Sequence, residues 1–233
     1  MDIDKLYNTL GGTFVTPIHQ MKIKLLNIKA ILFDWDGVFN NGKKSAGGGS
    51  DFSEVDSMGV NLFRYSQFLK SKQSPITGVI SGEKNETAFY FCKREHFNYS
   101  FYKVGNKILA LNYICEKEKI KPHEVMYFFD DVLDLSVAEV CGLRVLINQK
   151  ANPLFLSYCL KNKLVDYLTA SPGGAHAVRE SAELFIGISD TYDKVINDRK
   201  IISADYKTYM EKRNSVNTAF FTSDNGAIVP GDV

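Results

Sequence analysis

The sequence lacks the marks of several protein classes. Its four cysteines, Cys92, Cys115, Cys141 and Cys159, form no CxxC pair. Neither a zinc set nor a disulfide framework is read from them, and each is expected to be a small buried apolar residue. No stretch approaches the ~20 apolar residues of a membrane helix. Residues 1–20 have no apolar run of the signal-peptide kind. Excess charge is missing too: 28 basic and 27 acidic residues leave a formal charge of +1. That balance offers neither a nucleic-acid surface nor a polybasic membrane patch. His19, His96, His123 and His176 have no mutual metal spacing, there is no internal repeat, and low complexity is confined to three glycines from Gly47. A soluble, cytoplasmic protein is the expectation.

What is present is a chain of 233 residues, 45% hydrophobic, enough for one substantial core with or without an appendage. Short apolar runs alternate with amphipathic segments. Ile28–Phe33, Ile76–Ile80, Val125–Phe129 and Leu143–Ile147 read as buried strands. Helices are read around Val60–Leu69, at Asn85–His96 and Ile108–Lys119, briefly at Ser136–Val140, and after the Ser171–Gly174 loop through Leu184. The alternation predicts an α/β fold, a doubly wound, Rossmann-like parallel sheet with helices on both faces and no large cap domain. Gly37–Asp56, rich in Gly, Asn and Ser, reads as a β-hairpin or mobile flap. Two polar helices are expected at Asp190–Asp198 and Asp205–Lys212, then a turn-rich, flexible tail from Ser223. The organisation read is an N-terminal arm (1–27), a core (28–187) and a C-terminal extension (188–233).

The chemistry lies at strand ends. Asp34-Trp35-Asp36-Gly37 follows the first apolar run, and Asp130, Asp131 and Asp134 follow another. In an open parallel sheet both sets meet at the carboxyl edge, where ligands bind. One carboxylate of the pair can attack phosphorus while the other handles a proton. So many carboxylates repel one another. A hard divalent cation relieves that repulsion, and magnesium is the usual one beside phosphate. Ser81-Gly82 closes the second strand with a hydroxyl and backbone N–H groups that can hold phosphate. Lys107 opens a later helix. Taken alone, an Asp-Gly turn, a Ser-Gly turn or a helix-start lysine is ordinary; their order is what is specific. Trp35 is read as packing behind the strand end.

That order resembles the haloacid dehalogenase superfamily: Asp34-x-Asp36-Gly37-Val38, Ser81-Gly82, Lys107, then Asp130-Asp131-x-x-Asp134. Within it the chain looks like the capless branch typified by 3-deoxy-D-manno-octulosonate 8-phosphate phosphatase. Asn41-Gly42, the segment Val55–Val60, and Gly173-Gly174-Ala175-His176-Ala177-Val178-Arg179-Glu180 carry that finer likeness. It covers about residues 29–186.

The resemblance implies a phosphomonoesterase. Asp34 would be the nucleophile and Asp36 the acid and base. Mg2+ would bind Asp34, the backbone carbonyl of Asp36, and Asp130. Ser81, Gly82 and Lys107 would hold the phosphoryl group, with Asp131 or Asp134 in support. Arg179 would touch substrate across an interface in a homotetramer, or pair with an acid on its own helix. The substrate would be a small phosphorylated metabolite, an acidic sugar phosphate such as 3-deoxy-D-manno-octulosonate 8-phosphate or a nonulosonate 9-phosphate. The alternatives are another sugar phosphatase, a phosphotransferase, or a binding protein that keeps the fold. Three positions depart from the branch: Glu83 stands where it has Arg, Phe129 where it has Gly, and Ser57 where it has Gly.

Overall fold

A computed structural model describes residues 2–45 and 49–233. Strand β2 (Ala30–Phe33) is apolar at every position, and the pleat sends its side chains to opposite faces. Ile31 and Phe33 enter one core, Ala30 and Leu32 the other. Full burial of such side chains contributes roughly 1.5–3 kcal/mol each. A strand apolar on both sides needs helices on both sides, and the chain supplies them.

From β2 the chain runs through α3 (Glu54–Ser71), β3 (Ile76–Ile80) and α4 (Glu86–Arg94) to β4 (Tyr99–Tyr102). It then crosses back by α5 (Ile108–Glu118) to β5 (Val125–Phe129). Beyond come α6 (Leu135–Ala138), β6 (Leu143–Leu146), α7 (Pro153–Lys161), β7 (Tyr167–Leu168) and α8 (Ala177–Ile188). These strands are parallel, and β2 lies between β3 and β5. The chain order reverses at β2, so the crevice outside the carboxyl ends of β2 and β5 is a topological switch point. The doubly wound parallel sheet read from the sequence is the fold observed.

The ends of the chain join this sheet. Residues Ile3–Leu10 (α1), Thr13–Phe14 (β1) and Ile18–Leu26 (α2) precede β2, and β1 pairs antiparallel with β7. Asp166 secures that edge by accepting from Thr16 Oγ1 at 2.6 Å, Lys24 Nζ at 2.5 Å and Arg144 Nε at 2.9 Å. After α8, helices α9 (Tyr192–Ile201) and α10 (Ala204–Asn214) pack on the face that holds α3. The flexible tail expected from Ser223 is corrected. Strands β8 (Ala219–Asp224) and β9 (Ala227–Pro230) extend the sheet, giving the order β1-β7-β6-β5-β2-β3-β4-β8-β9. The turn-rich composition belongs to the tight connection between two strands, and Phe221 packs its ring on Phe101 and Tyr113.

The hairpin expected after Gly37 is corrected as well. Residues 37–45 and 49–53 form turns and irregular chain, and the glycines at 47 and 48 lie outside the described residues. Side chains take the place of strand pairing there: Asn40 accepts from Gly42 N at 2.8 Å and donates to the Trp35 carbonyl at 3.1 Å. No helix among the described residues is long and apolar enough to cross a membrane.

Phe221 lies 4.7 Å from Tyr113 and 5.4 Å from Phe101 between ring centroids. Phe221→Ala is expected to lower unfolding free energy by about 2 kcal/mol in urea titration, because a half-buried aromatic is removed. A loss under about 0.5 kcal/mol would mean that the added strands stabilise nothing.

Candidate active site

Asp34 follows the last residue of β2, and Asp130 the last residue of the adjacent β5. Asp34, Asp36, Gly37, Ser81, Gly82, Lys107, Asp130, Asp131 and Asp134 line one cleft of about 380 Å³. Glu83, Lys44, Leu133, Asn41 and Gln149 are also on its wall. The cleft residues singled out from the sequence therefore gather at the carboxyl edge of the sheet. Arg179 does not join them: its guanidinium pairs with Glu183 one turn along α8, Nε to Oε1 at 2.9 Å.

Lys107 is the centre of the charge arrangement. It is 2% exposed, and its Nζ lies 2.6 Å from Asp34 Oδ1 and 2.6 Å from Asp134 Oδ1. Burial works against the ammonium charge, yet the two carboxylates hold its pKa above the ordinary lysine value. Asp134 in turn has its lone pairs engaged. Oδ1 also accepts from Tyr127 Oη at 2.5 Å, and Oδ2 accepts from the backbone N–H of Asp130 at 3.4 Å and of Asp131 at 3.3 Å. Asp134 thus orients both the lysine and the turn that carries Asp130.

One carboxylate oxygen each from Asp34, Asp130 and Asp134 lies within 4.8 Å of the others. Burial, then repulsion from Asp134, pushes Asp34 up to about 7 against the opposing pull of Lys107. Burial, then Asp34, Asp134 and Asp131, pushes Asp130 up to about 8. The site holds more negative charge than Lys107 neutralises, and its free donors are hard carboxylate oxygens. Both properties fit a divalent cation such as magnesium. Because Asp134 is engaged, Asp34 and Asp130 keep the lone pairs for one. The Asp36 carboxylate points elsewhere, to Ser50 Oγ at 2.6 Å and Lys44 Nζ at 3.1 Å.

Two glycines allow the close approaches. Gly37 has φ +84°, and a Cβ there would sit 1.9 Å from Asp130 Oδ2. A Cβ at Gly173 would sit 1.9 Å from the Gly37 carbonyl oxygen, so the glycine-rich loop before α8 rests directly on the acid turn. Gln149 braces the same place, donating to Gly37 O at 2.9 Å and Asp130 Oδ2 at 3.2 Å. Ser81 is 3% exposed, and its Oγ accepts from Glu83 N at 3.1 Å. Asp56, buried in the segment after the loop, accepts from the N–H of Arg179 at 2.8 Å and caps α8. Tyr127, Gln149, Lys44 and Ser50 were not read from the sequence. Tyr127 alone left a trace there, as a hydroxyl within an apolar strand.

With divalent ions chelated, the acid cluster carries its own pH signature. Both raised carboxylates bind protons more tightly folded than unfolded. Their stabilising contribution is present below about pH 4 and is lost as pH rises through about 7 to 8. Asp130→Asn, with divalent ions chelated, is expected to gain stability over the parent by on the order of 1–3 kcal/mol near pH 8.5, and much less near pH 5. Urea titration at the two pH values measures this. Equal differences at both would contradict the crowding of negative charge.

Comparison with known proteins agrees with this geometry. No family model matches the chain. The 3-deoxy-D-manno-octulosonate 8-phosphate phosphatase of Escherichia coli K12 is 28% identical over 167 residues, covering 70% of this chain and 81% of the relative. The Salmonella typhi phosphatase of the same name is equally similar. Among solved structures, that phosphatase from Moraxella catarrhalis, in complex with a magnesium ion, a phosphate ion and KDO, superposes with a TM-score of 0.65 at 21% identity. The match covers 78% of this chain and 99% of that one. The cobalt-bound Haemophilus influenzae enzyme gives a TM-score of 0.63 at 20% identity, covering 77% and 99%. The resemblance carried by the acid, serine and lysine motifs is thus matched by homologues named as phosphatases, and the fold is that of the haloacid dehalogenase superfamily.

Proposed function

We propose that this chain is a magnesium-dependent phosphomonoesterase that forms an aspartyl-phosphate on Asp34. The observation that carries the reading is the buried Lys107 bridging Asp34 and Asp134 at 2.6 Å each, beside Asp130, at the switch point of the sheet. A lysine so held keeps the nucleophile oriented and meets the charge of a phosphoryl group.

The proposed course has two halves. An Asp34 carboxylate oxygen bonds to phosphorus as the P–O ester bond breaks, and Asp36 gives a proton to the departing alcohol oxygen. A water then attacks the phosphorus, Asp36 takes its proton, and the Asp34–phosphorus bond breaks to release phosphate. Ser81, with the Gly82 backbone, and Lys107 hold the phosphoryl oxygens. Asp34, Asp130 and the Asp36 carbonyl would hold magnesium, which when bound neutralises charge on the carboxylates and the phosphoryl oxygens.

The proposed substrate is a phosphorylated sugar, with 3-deoxy-D-manno-octulosonate 8-phosphate and nonulosonate 9-phosphates first in a panel. Glu83 and Asp131 on the cleft wall are reason to include neutral sugar phosphates in it. A homo-oligomer in the cytoplasm goes with the reading.

Phosphate release from p-nitrophenyl phosphate tests the chemistry. Asp34→Asn is expected to reduce kcat at least about 10³-fold, and Lys107→Met about 10²-fold or more. Chelation should abolish turnover and added magnesium restore it. Turnover that survives Asp34→Asn would overturn the covalent mechanism, and turnover indifferent to chelator the metal assignment.

A further inference from the structure

The loop that leaves Gly37 comes back to the acid pair through Ser50. Ser50 Oγ lies 2.6 Å from Asp36 Oδ1, 3.1 Å from the Trp35 indole nitrogen and 2.7 Å from Asn85 Nδ2. Trp35 is 0%, Ser50 6% and Asn85 2% exposed, so the Ser50 hydroxyl is shielded from bulk water.

The direction of each bond is fixed by chemistry. A serine hydroxyl has one proton and two acceptor lone pairs, while an indole N–H can only donate. Asn85 is the N-cap of α4, and its Oδ1 accepts from Thr87 N at 2.9 Å and Ala88 N at 3.3 Å. That sets the amide orientation and turns its NH2 group to Ser50. Both Ser50 lone pairs are then filled, and its single proton has one acceptor left, Asp36 Oδ1.

The second oxygen of Asp36 faces the other way. Oδ2 lies 3.1 Å from Lys44 Nζ, and Lys44 is on the wall of the cleft that holds Asp34, whereas Ser50 is not. We infer that Ser50, aligned by Trp35 and Asn85, is the positioning residue for Asp36: it anchors Oδ1 and leaves Oδ2 as the oxygen that exchanges a proton with substrate. This rests on the phosphatase reading above. Oδ2 gives its proton to the alcohol oxygen that receives the electron pair of the broken P–O bond, and later takes a proton from the attacking water. The Ser50 proton is transferred in neither half.

Leaving groups separate positioning from mere support. Nitrophenolate departs from p-nitrophenyl phosphate without needing a proton, whereas the more basic phenolate of phenyl phosphate gains from one. Ser50→Ala is expected to lower kcat/KM, which reports the half in which the leaving group departs, about 10-fold to 100-fold on phenyl phosphate and less than about 3-fold on p-nitrophenyl phosphate. Ser50→Thr, which keeps the hydroxyl, should restore the phenyl phosphate rate. Trp35→Phe frees one Ser50 lone pair and should give a smaller loss with the same leaving-group bias. Equal losses in kcat/KM on both substrates, or none on either, would overturn the assignment to Ser50. Asp36→Asn on the same substrates separates the two readings. If it shows no leaving-group bias, the acid role of Asp36 fails; if it shows the bias and Ser50→Ala does not, only the positioning inference fails.

Discussion

The site depends on a lysine that has no access to water. An ammonium group in that position is costly unless it is paired, and the penalty is several kcal/mol per ion even after relaxation. Lys107 meets the requirement twice, through Asp34 and Asp134. Asp134 can serve only because Tyr127 and the N–H groups of Asp130 and Asp131 fill its remaining acceptor positions. One buried charge thereby ties the end of β2, the hydroxyl within β5 and the turn beyond it. The nucleophile position and the Asp130 position are set by the same network.

That network leaves negative charge over. Lys107 faces Asp34 and Asp134 with Asp130 close by, and Asp34 and Asp130 are both pushed up because the acids are crowded and shielded from solvent. The sheet produces the crowding. Parallel strands that diverge from β2 bring all their carboxyl ends to one edge, and acids that follow β2 and β5 must meet there. A sheet with the same strands in antiparallel order would place those acids at opposite ends.

Legibility in the sequence followed how locally each feature is determined. Strands β2, β3 and β5 were plain because each is a continuous apolar run, the pattern of burial on two faces. Asp34, Ser81 and Asp130 were legible because each follows such a run, and Lys107 because it opens a helix. The strands beyond β3 in the sheet were not. Tyr99–Tyr102 mixes aromatics with Ser100, and β8 is a strand because Ala219 to Thr222 register on Tyr99 to Tyr102, more than a hundred residues earlier. Arg179 shows the same limit from the other side. A glycine-rich motif placed it near a site, but the glycines are what touch the acid turn, and the arginine turns along its own helix to Glu183.

The loop after Gly37 illustrates how function can rest on a segment without regular structure. Its two ends are fixed by packing rather than by strand pairing. Phe39 stacks on Trp35 at 5.0 Å and meets Phe91 at 4.8 Å, and Phe52 meets Phe91 at 4.9 Å. Aromatic contacts of this kind contribute about 0.5–1.5 kcal/mol each beyond their buried area. Trp35 therefore does two things between the acids: its ring holds the loop ends down, and its N–H sets the hydroxyl that faces Asp36. A phenylalanine in its place would keep the packing and lose the alignment. The tetrapeptide Asp34-Trp35-Asp36-Gly37 is thus more than a pair of acids at a strand end. Asp34 is placed by the sheet and Lys107, and Asp36 by the loop that Trp35 anchors.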